Sequence, residues 1–514
     1  MHSFYICFES ISKEYLNYIN IKILDINRIN GGLNVSKIKD LIKNIGFLVI
    51  SQFGIKVLNF LLVPLYTSVL TTSEYGTYDL FHITTALLIP FFTFNIKDSA
   101  IRFTLDHTDT DNRKKIFTIS IIHVLFSSLL ALIVLSINHI MTFSKPIDDY
   151  AILVFLMFIS QALVEVITNY VRGLDNLKQI SISSVICSLV IIILNIITLI
   201  PLKMGLYGYF ISNIVGPFVQ VVYLFIVCKC WRYLSFRSFD KNLNKQMVNY
   251  SRPLILNTTA WWINSVSDRY IVVLFCGTAA NGIYSVASKI PSILDMMQNI
   301  FSQAWTISAV KEFDKNDSDS FFSNMYNTYN MVMTIMCSCI IIISRLIARV
   351  LYSNDFFLAW KYVPFLVMAV LFGALSGYIG AIFSAVKASK VFAYSTLIGA
   401  AINIIFNFIF VRHTGPIGAA ISTTLCYFVI YVIRLQNSSK YIKMKLFIVR
   451  DTCTYILLMM QSLLLFLIQN ETIILYMIET ILLLIIILFY KNEISKFLKV
   501  MKKAIFRRKI IGGQ

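Results

Sequence analysis

Stretches of some twenty apolar residues follow one another along almost the whole of this chain, and each, wound as helix at about 1.5 Å per residue, is long enough to cross a hydrocarbon layer about 30 Å thick. Inside that layer no water is available to bond backbone N–H and C=O groups, so only helices or a closed barrel can span it, and runs of this length select helices. The runs fall at 45–70, 77–96, 116–137, 150–170, 180–200, 206–228, 253–276, 283–309, 326–350, 360–386, 391–411, 416–434, 446–468 and 472–490. The expectation is an all-α polytopic membrane protein with about 14 transmembrane helices.

The basic residues orient it. The gap from Tyr66 to Tyr78 has none, whereas the next holds Lys97, Arg102, Arg113, Lys114 and Lys115. Lys and Arg mark the cytoplasmic side, and the same side then receives Arg172, Lys178, Lys229 through Arg252, Lys387, Lys390, Arg434 through Lys445 and Lys491 through Lys509. Both termini are thus expected in the cytoplasm. Arg345, Arg349 and Lys361 form a basic cluster on the wrong side, the weakest point of this topology. The net charge of +19 is mostly this orientation signal. It implies attraction to anionic membrane lipids but no nucleic-acid partner.

With 57% hydrophobic and 14% charged residues there is little room for a separate soluble domain. The pairs Cys228/Cys230 and Cys337/Cys339 match no zinc or redox spacing, and no HExxH, phosphate loop or GxSxG elbow occurs, so nothing points to an enzyme. Residues 1–34 carry Glu9, Glu14 and Asp25 and lack the form of a signal peptide. An interfacial amphipathic segment, an unstructured cytoplasmic extension and a natural start near Val35 all stay open.

The chain repeats itself at a separation of about 210 residues. Gly205, Gly208, Ile211 and Ser212 are answered by Gly415, Gly418, Ile421 and Ser422; the turn Glu74 to Tyr78 by Ala280 to Tyr284; and Lys178 and Asn195 by Lys390 and Asn407. The repeat relates span one to span seven, so both halves enter the membrane in the same direction, as parallel repeats do. Two parallel six-helix lobes plus two C-terminal helices follow. The expected divisions are a cytoplasmic extension 1–44, a first lobe 45–230, a cytoplasmic inter-lobe loop 231–252, a second lobe 253–435, two further helices 446–490 and a basic tail 491–514.

On Pro64 to Thr67, Glu74 to Tyr78, Ala100 to Phe103, Asp268 to Tyr270 and Gly282 to Ser285, the chain resembles the polysaccharide-biosynthesis flippases of the multidrug/oligosaccharidyl-lipid/polysaccharide exporter superfamily over most of residues 37–490. The resemblance implies transfer of a polyprenyl-diphosphate-linked oligosaccharide from the inner to the outer leaflet of a bacterial plasma membrane. The product would feed O-antigen, capsule or exopolysaccharide synthesis, with polysaccharide polymerase and glycosyltransferases as partners.

Four basic residues fall inside the expected spans: Lys56, Arg269, Lys289 and Arg450. Each costs about 2.5–3.5 kcal/mol at a helix centre, so each needs a partner or a watery cavity. Lys56 is central. Arg269 and Lys289, on consecutive spans, are expected at one level about 10 Å deep, flanking a single anion pocket. Lys289 and Arg450 have a plainer reading as side chains snorkelling to the interface. Arg102 lies four residues after Asp98, which makes it either a helical ion-pair partner or an entry-side phosphate contact. The acids Asp268, Asp98, Glu165, Asp295 and Glu479 are candidates for Na+ or H+ coupling, with span-end counter-ions as the ordinary alternative; no other cofactor is implied. An ion-coupled exporter of organic cations would instead need an acid-rich first lobe, and a membrane glycosyltransferase or polymerase would need a large polar loop.

Overall fold

A computed structural model describes residues 60–498 except 108, 143–144, 387, 469 and 471, and within them the regular structure is helical, without a strand. The first half holds α1 (Val63–Val69), α2 (Thr72–Phe92), α3 (Ile96–Asp106), α4 (Thr110–Met141), α5 (Lys145–Asp149), α6 (Ala151–Gly173), α7 (Leu177–Leu199) and α8 (Gly205–Val227). After α9 (Lys241–Ser251) come α10 (Leu254–Ala287), α11 (Pro291–Lys311), α12 (Phe321–Leu351), α13 (Val363–Ala385), α14 (Ser389–Thr414) and α15 (Pro416–Ser438), then α16 (Ile448–Leu467) and α17 (Ile473–Phe489). The chain is a multi-pass membrane protein: ten of these helices are long and apolar enough to cross a bilayer, or up to twelve if two bent pairs count as single spans.

The expected count of about fourteen differs for two reasons. Most of the first expected span lies outside the described residues. The other reason is α10, a helical hairpin tipped by Gly277, whose φ of +83° ordinary side chains avoid. The Tyr284 hydroxyl donates to Asp268, sixteen residues earlier, which along a straight helix would be about 24 Å away. The second arm of the hairpin runs from Thr278 and breaks at residues 288–290, just before Pro291 opens α11. Proline lacks the N–H and crowds the preceding turn, so it can begin the new helix but cannot continue the old one.

The internal repeat is a repeat of structure. Gly205 and Gly415, both with positive φ, precede matching contacts: Ser212 Oγ donates to Gly208 O at 2.9 Å and Ser422 Oγ to Gly418 O at 2.8 Å. Asn195 and Asn407 each donate to the carbonyl four residues back, at 2.9 and 2.8 Å.

The lobes meet where the two repeated turns cross. A reciprocal capping box, Thr71 N to Glu74 Oε2 at 2.8 Å and Glu74 N to Thr71 Oγ1 at 3.2 Å, starts α2. One turn later Gly76 lies against the hairpin so closely that a Cβ there would stand 1.9 Å from Thr278 O, and a Cβ on Gly282 would stand 1.9 Å from Thr72 O. The contact is reciprocal, as a pseudo-two-fold axis demands. Ser73 and Thr278 hydrogen-bond beside it at 2.9 Å, and Tyr66, Tyr75, Tyr78, Tyr209 and Phe356 pack around it. This end, opposite the basic one, is here called the gate end.

At the opposite, basic end the expected inter-lobe loop contains α9, which is fastened to the first lobe. Ser251 Oγ donates to Phe94 O at 2.7 Å, His123 Nε2 bonds Asn244 Oδ1 at 2.8 Å, and Lys115 pairs with Asp240 at 3.2 Å. The amide of Leu243, then Lys115, hold the Asp240 carboxyl below its ordinary range. Arg450 does not snorkel: it hydrogen-bonds Asp451, Glu493 and Asn327 and so ties α16 and the chain after α17 to α12. Arg345 is buried with its guanidinium 4.4 Å from the Trp360 ring, which takes it out of the misplaced basic cluster. Arg434 likewise is buried and not a loop residue, bonding Ser395, Ser376 and Thr396.

Cysteines placed at Ser73 and Thr278 should form a disulfide readily under mild oxidation. Adding Gly282→Ala should suppress it, because the new methyl group has nowhere to go against Thr72. Gel mobility with and without reductant reads both, and a disulfide unaffected by the alanine would show that the glycine crossing does not set the lobe distance.

Candidate functional site

Directly below the glycine crossing, toward the membrane interior, lies a charged knot. Arg269 Nη1 donates to Asp79 Oδ1 at 2.7 Å, joining the lobes through an ion pair whose side chains are 16% and 9% exposed. Ser285 Oγ donates to the same oxygen at 2.7 Å, and Asn281 Nδ2 reaches Asp79 Oδ2 at 3.3 Å and Gly76 O at 3.0 Å. Such saturation is what a charge needs in a medium that solvates it poorly. Neighbouring Asp268 points into the second lobe instead, accepting from Tyr284 OH, from Arg269 N at 3.0 Å and from Thr423 Oγ1 at 3.4 Å. Around Thr423 stand Asn403 at 3.5 Å and, beside that, Ser267 at 3.5 Å.

Lys289 sits at the break before Pro291, half-buried and without an ion-pair partner among the described residues. Because the hairpin tip is Gly277, Arg269 is about 12 Å and Lys289 about 18 Å from it along the helices, so the two cations are not level as expected. His82, one turn beyond Asp79, is exposed, with its ring centroid 6.0 Å from that of Tyr78. Asp79, Arg269, Ser285 and Asn281 form one cluster at the inner edge of the closed gate, and Lys289 follows four residues after Ser285 on the same arm of the hairpin.

The other candidates lie elsewhere. Lys56 is outside the described residues. Arg102 is exposed and pairs with Asp106 at 3.2 Å, not with Asp98. A left-handed turn at Phe94 and Asn95 bends α3 by 55° from α2, and Asp98, in the first turn of α3, accepts from Asn95 Nδ2 at 2.7 Å. Glu165 is paired with Lys97 at 2.9 Å, and Asp295 accepts from Asn299 at 3.0 Å. Asp79 is the residue that sequence reasoning missed. Aligning the two repeated turns sets it opposite Ser285, an acid against a hydroxyl, and that asymmetry was the available signal.

Two parallel helical lobes closed on each other at one end, with a charged cluster at the seam, are the architecture of a membrane transporter. The chain belongs to the family described as polysaccharide biosynthesis protein, which it matches over residues 41–307. It is 21% identical over 204 residues to the "Probable low-salt glycan biosynthesis flippase Agl15" of Haloferax volcanii, a match covering 39% of this chain and 43% of that protein, so it spans less than half the relative's length. Among solved structures, it shares the fold of the lipid II flippase MurJ in an inward closed conformation (TM-score 0.64, 14% identity, 87% of this chain and 99% of that one). It also shares that of a multidrug resistance MATE transporter of the MOP superfamily in an inward-facing conformation (TM-score 0.62, 12% identity, 79% and 99%). These proteins are transporters and flippases, not enzymes.

Removing one member of the inter-lobe pair leaves the other buried and unmatched, so Asp79→Asn and Arg269→Gln should each destabilise the protein by about 3–5 kcal/mol. The double variant should lose less than the sum, by about 0.5–3 kcal/mol. Denaturant unfolding in detergent measures all three, and strictly additive losses would mean the pair is not coupled.

Proposed function

We propose that the chain flips a polyprenyl-diphosphate-linked oligosaccharide from the inner to the outer leaflet of a bacterial plasma membrane, for surface polysaccharide synthesis. The observation that carries this reading is the pair of embedded cations on the two arms of the α10 hairpin, Arg269 and Lys289, with Asp79 the carboxylate that bridges the lobes among the described residues. A diphosphate entering from the basic end meets Lys289 first and then competes with Asp79 for Arg269. Each cation within about 4 Å of the anion contributes on the order of 4 kcal/mol at an effective dielectric near 20, and Arg269 offers phosphate oxygens a planar two-pronged donor. Capture of Arg269 takes away the ion pair that closes the gate, so substrate binding itself unlocks the far side. That is the differential interaction with two states that alternating access requires. Lys56 belongs to the same proposal as a further cation of the first lobe.

Cation coupling is assigned to Asp268. Asn403 Nδ2 donates to Thr423 Oγ1 at 3.5 Å, and two oxygen pairs, Asp268 Oδ2 with Thr423 Oγ1 and Ser267 Oγ with Asn403 Oδ1, stand 3.4 and 3.5 Å apart. That is about the separation of adjacent oxygens around a hard cation ligated at about 2.4 Å. The alternative reading, an exporter of organic cations, finds support in Asp79, an embedded acid of the first lobe. Its charge is taken up by Arg269, however, and Lys289 has no acidic partner among the described residues to balance it.

In proteoliposomes, a fluorescent polyprenyl-diphosphate sugar should become accessible on the far leaflet only with the protein present. Lys289→Gln should slow this by about 10- to 100-fold per protein molecule, the worth of one hydrogen bond to a charged group, and Lys289→Arg should retain more. Undiminished flipping in Lys289→Gln, together with transport of an amphiphilic cation, would favour the exporter. Asp268→Asn should remove any dependence of flipping on Na+ while sparing binding of the lipid.

A further inference from the structure

The appended helices carry a titratable group that plays no part in the inter-lobe cluster. In α17 the residues facing inward are Leu475, Glu479, Leu482 and Ile486, a single stripe in which a carboxyl replaces an aliphatic side chain. Glu479 is fully buried, and neither of its carboxyl oxygens has a hydrogen-bond partner among the described residues. The polar side chain beside it is Gln461 of α16, whose Nε2 donates at 3.1 Å to the main-chain oxygen of Glu479 and whose Oε1 accepts from Ser338 Oγ of α12 at 2.8 Å. Three helices thus meet at one level through Ser338, Gln461 and Glu479, with aliphatic residues above and below.

Among the described residues no counter-ion reaches that level. On α16 the charged residues are Arg450 and Asp451, joined to each other and to Glu493, about 15 Å from Gln461 along the helix; Tyr455, also on α16, donates to Asn330. On α12, Cys337 and Cys339 flank Ser338 and are neutral thiols, and Arg345 lies about 10 Å further along, over Trp360. On α17 itself the nearest titratable group is Tyr476, one turn away. A carboxylate enclosed by aliphatic side chains and hydrocarbon, with no cation and only the neutral Gln461 amide beside it, is the form such a site excludes, whereas the neutral acid fits.

We propose that Glu479 is a proton-binding site built into the seam between the C-terminal helix pair and the second lobe, protonated while the seam is packed and able to ionise only when water enters it. The ligand is the proton, and the site is separate from the inter-lobe cluster, so the inference stands whether or not the flippase reading does. Because the packed seam binds this proton more tightly than an opened one, raising the pH favours opening.

Dicyclohexylcarbodiimide, an apolar reagent that requires an un-ionised carboxylic acid, tests this directly on the native protein in membranes. The acid's proton moves to one carbodiimide nitrogen while its oxygen bonds the central carbon. The acyl group then migrates to nitrogen, leaving a stable N-acylurea that peptide mass mapping can place. Modification of Glu479 at neutral pH, slowing as the pH is raised, is expected; an unmodified Glu479 at neutral pH would overturn the proposal. A second measurement does not depend on reagent access. The infrared spectrum of the native protein should contain an un-ionised carboxyl band that is missing from Glu479→Gln at the same pH. Two spectra differing only in the ionised carboxylate bands would refute it. Moving from neutral to mildly alkaline pH should also lower the thermal stability of the native protein more than that of Glu479→Gln, and parallel losses would count against it.

Discussion

The ion pair between Asp79 and Arg269 is the interaction on which the arrangement of the lobes depends. Two opposite charges in a poorly solvating layer are held to each other far more firmly than they would be in water, and each becomes a liability once the other leaves. Placing one on each lobe makes lobe separation and charge separation the same event. The crossing of Gly76 and Gly282 supplies the steric condition, since only backbones free of Cβ atoms can approach closely enough for Asp79 to reach Arg269, Ser285 and Asn281 together. Charge alone would not close the seam, and close packing alone would leave no ion pair across it.

The second arm of the α10 hairpin turns this closed seam into a site. It begins at Gly277, passes the glycine crossing, and breaks at residues 288–290 because Pro291 cannot continue the helix. The break puts Lys289 beyond the closed seam and directs α11 away to pack on α13 through Trp305, whose Nε1 donates to Tyr378 O at 3.0 Å. The first lobe is anchored independently, through α9 and the contacts of Ser251, Asn244 and Asp240. The molecule is therefore strapped at the basic end by a helix that belongs to one lobe and locked at the gate end by side chains from both.

Charges that the membrane tolerates poorly are resolved in different ways across the fold. Arg450 is neutralised within a network, Arg345 is stacked on an indole, Lys97 and Glu165 satisfy each other, and Lys289 sits half-buried at a helix break. The membrane physics that makes each of them costly does not say which solution applies. Arg269 and Arg450 looked equivalent as basic residues inside apolar runs, yet one joins the lobes and the other ties the C-terminal helices to α12.

The sequence by itself determined the medium, the helical class and the doubling of the chain. Those follow from local properties: run length against bilayer thickness, and glycine and serine spacings that recur because the same helix contacts recur, as at Gly208 with Ser212 and Gly418 with Ser422. The crossing of the Glu74–Tyr78 and Ala280–Tyr284 turns was also legible as a likeness, although not as a contact. What only the tertiary structure decided is which charges meet. Asp79 and Arg269 are 190 residues apart in the chain, and nothing local marks them as partners, because the energy of a buried charge depends on what the fold brings within a few ångströms of it and not on its own neighbours in sequence. The pair drawn from spacing, Asp98 with Arg102, failed for the same reason: a left-handed turn at Asn95 and the nearness of Asp106 settled both partners.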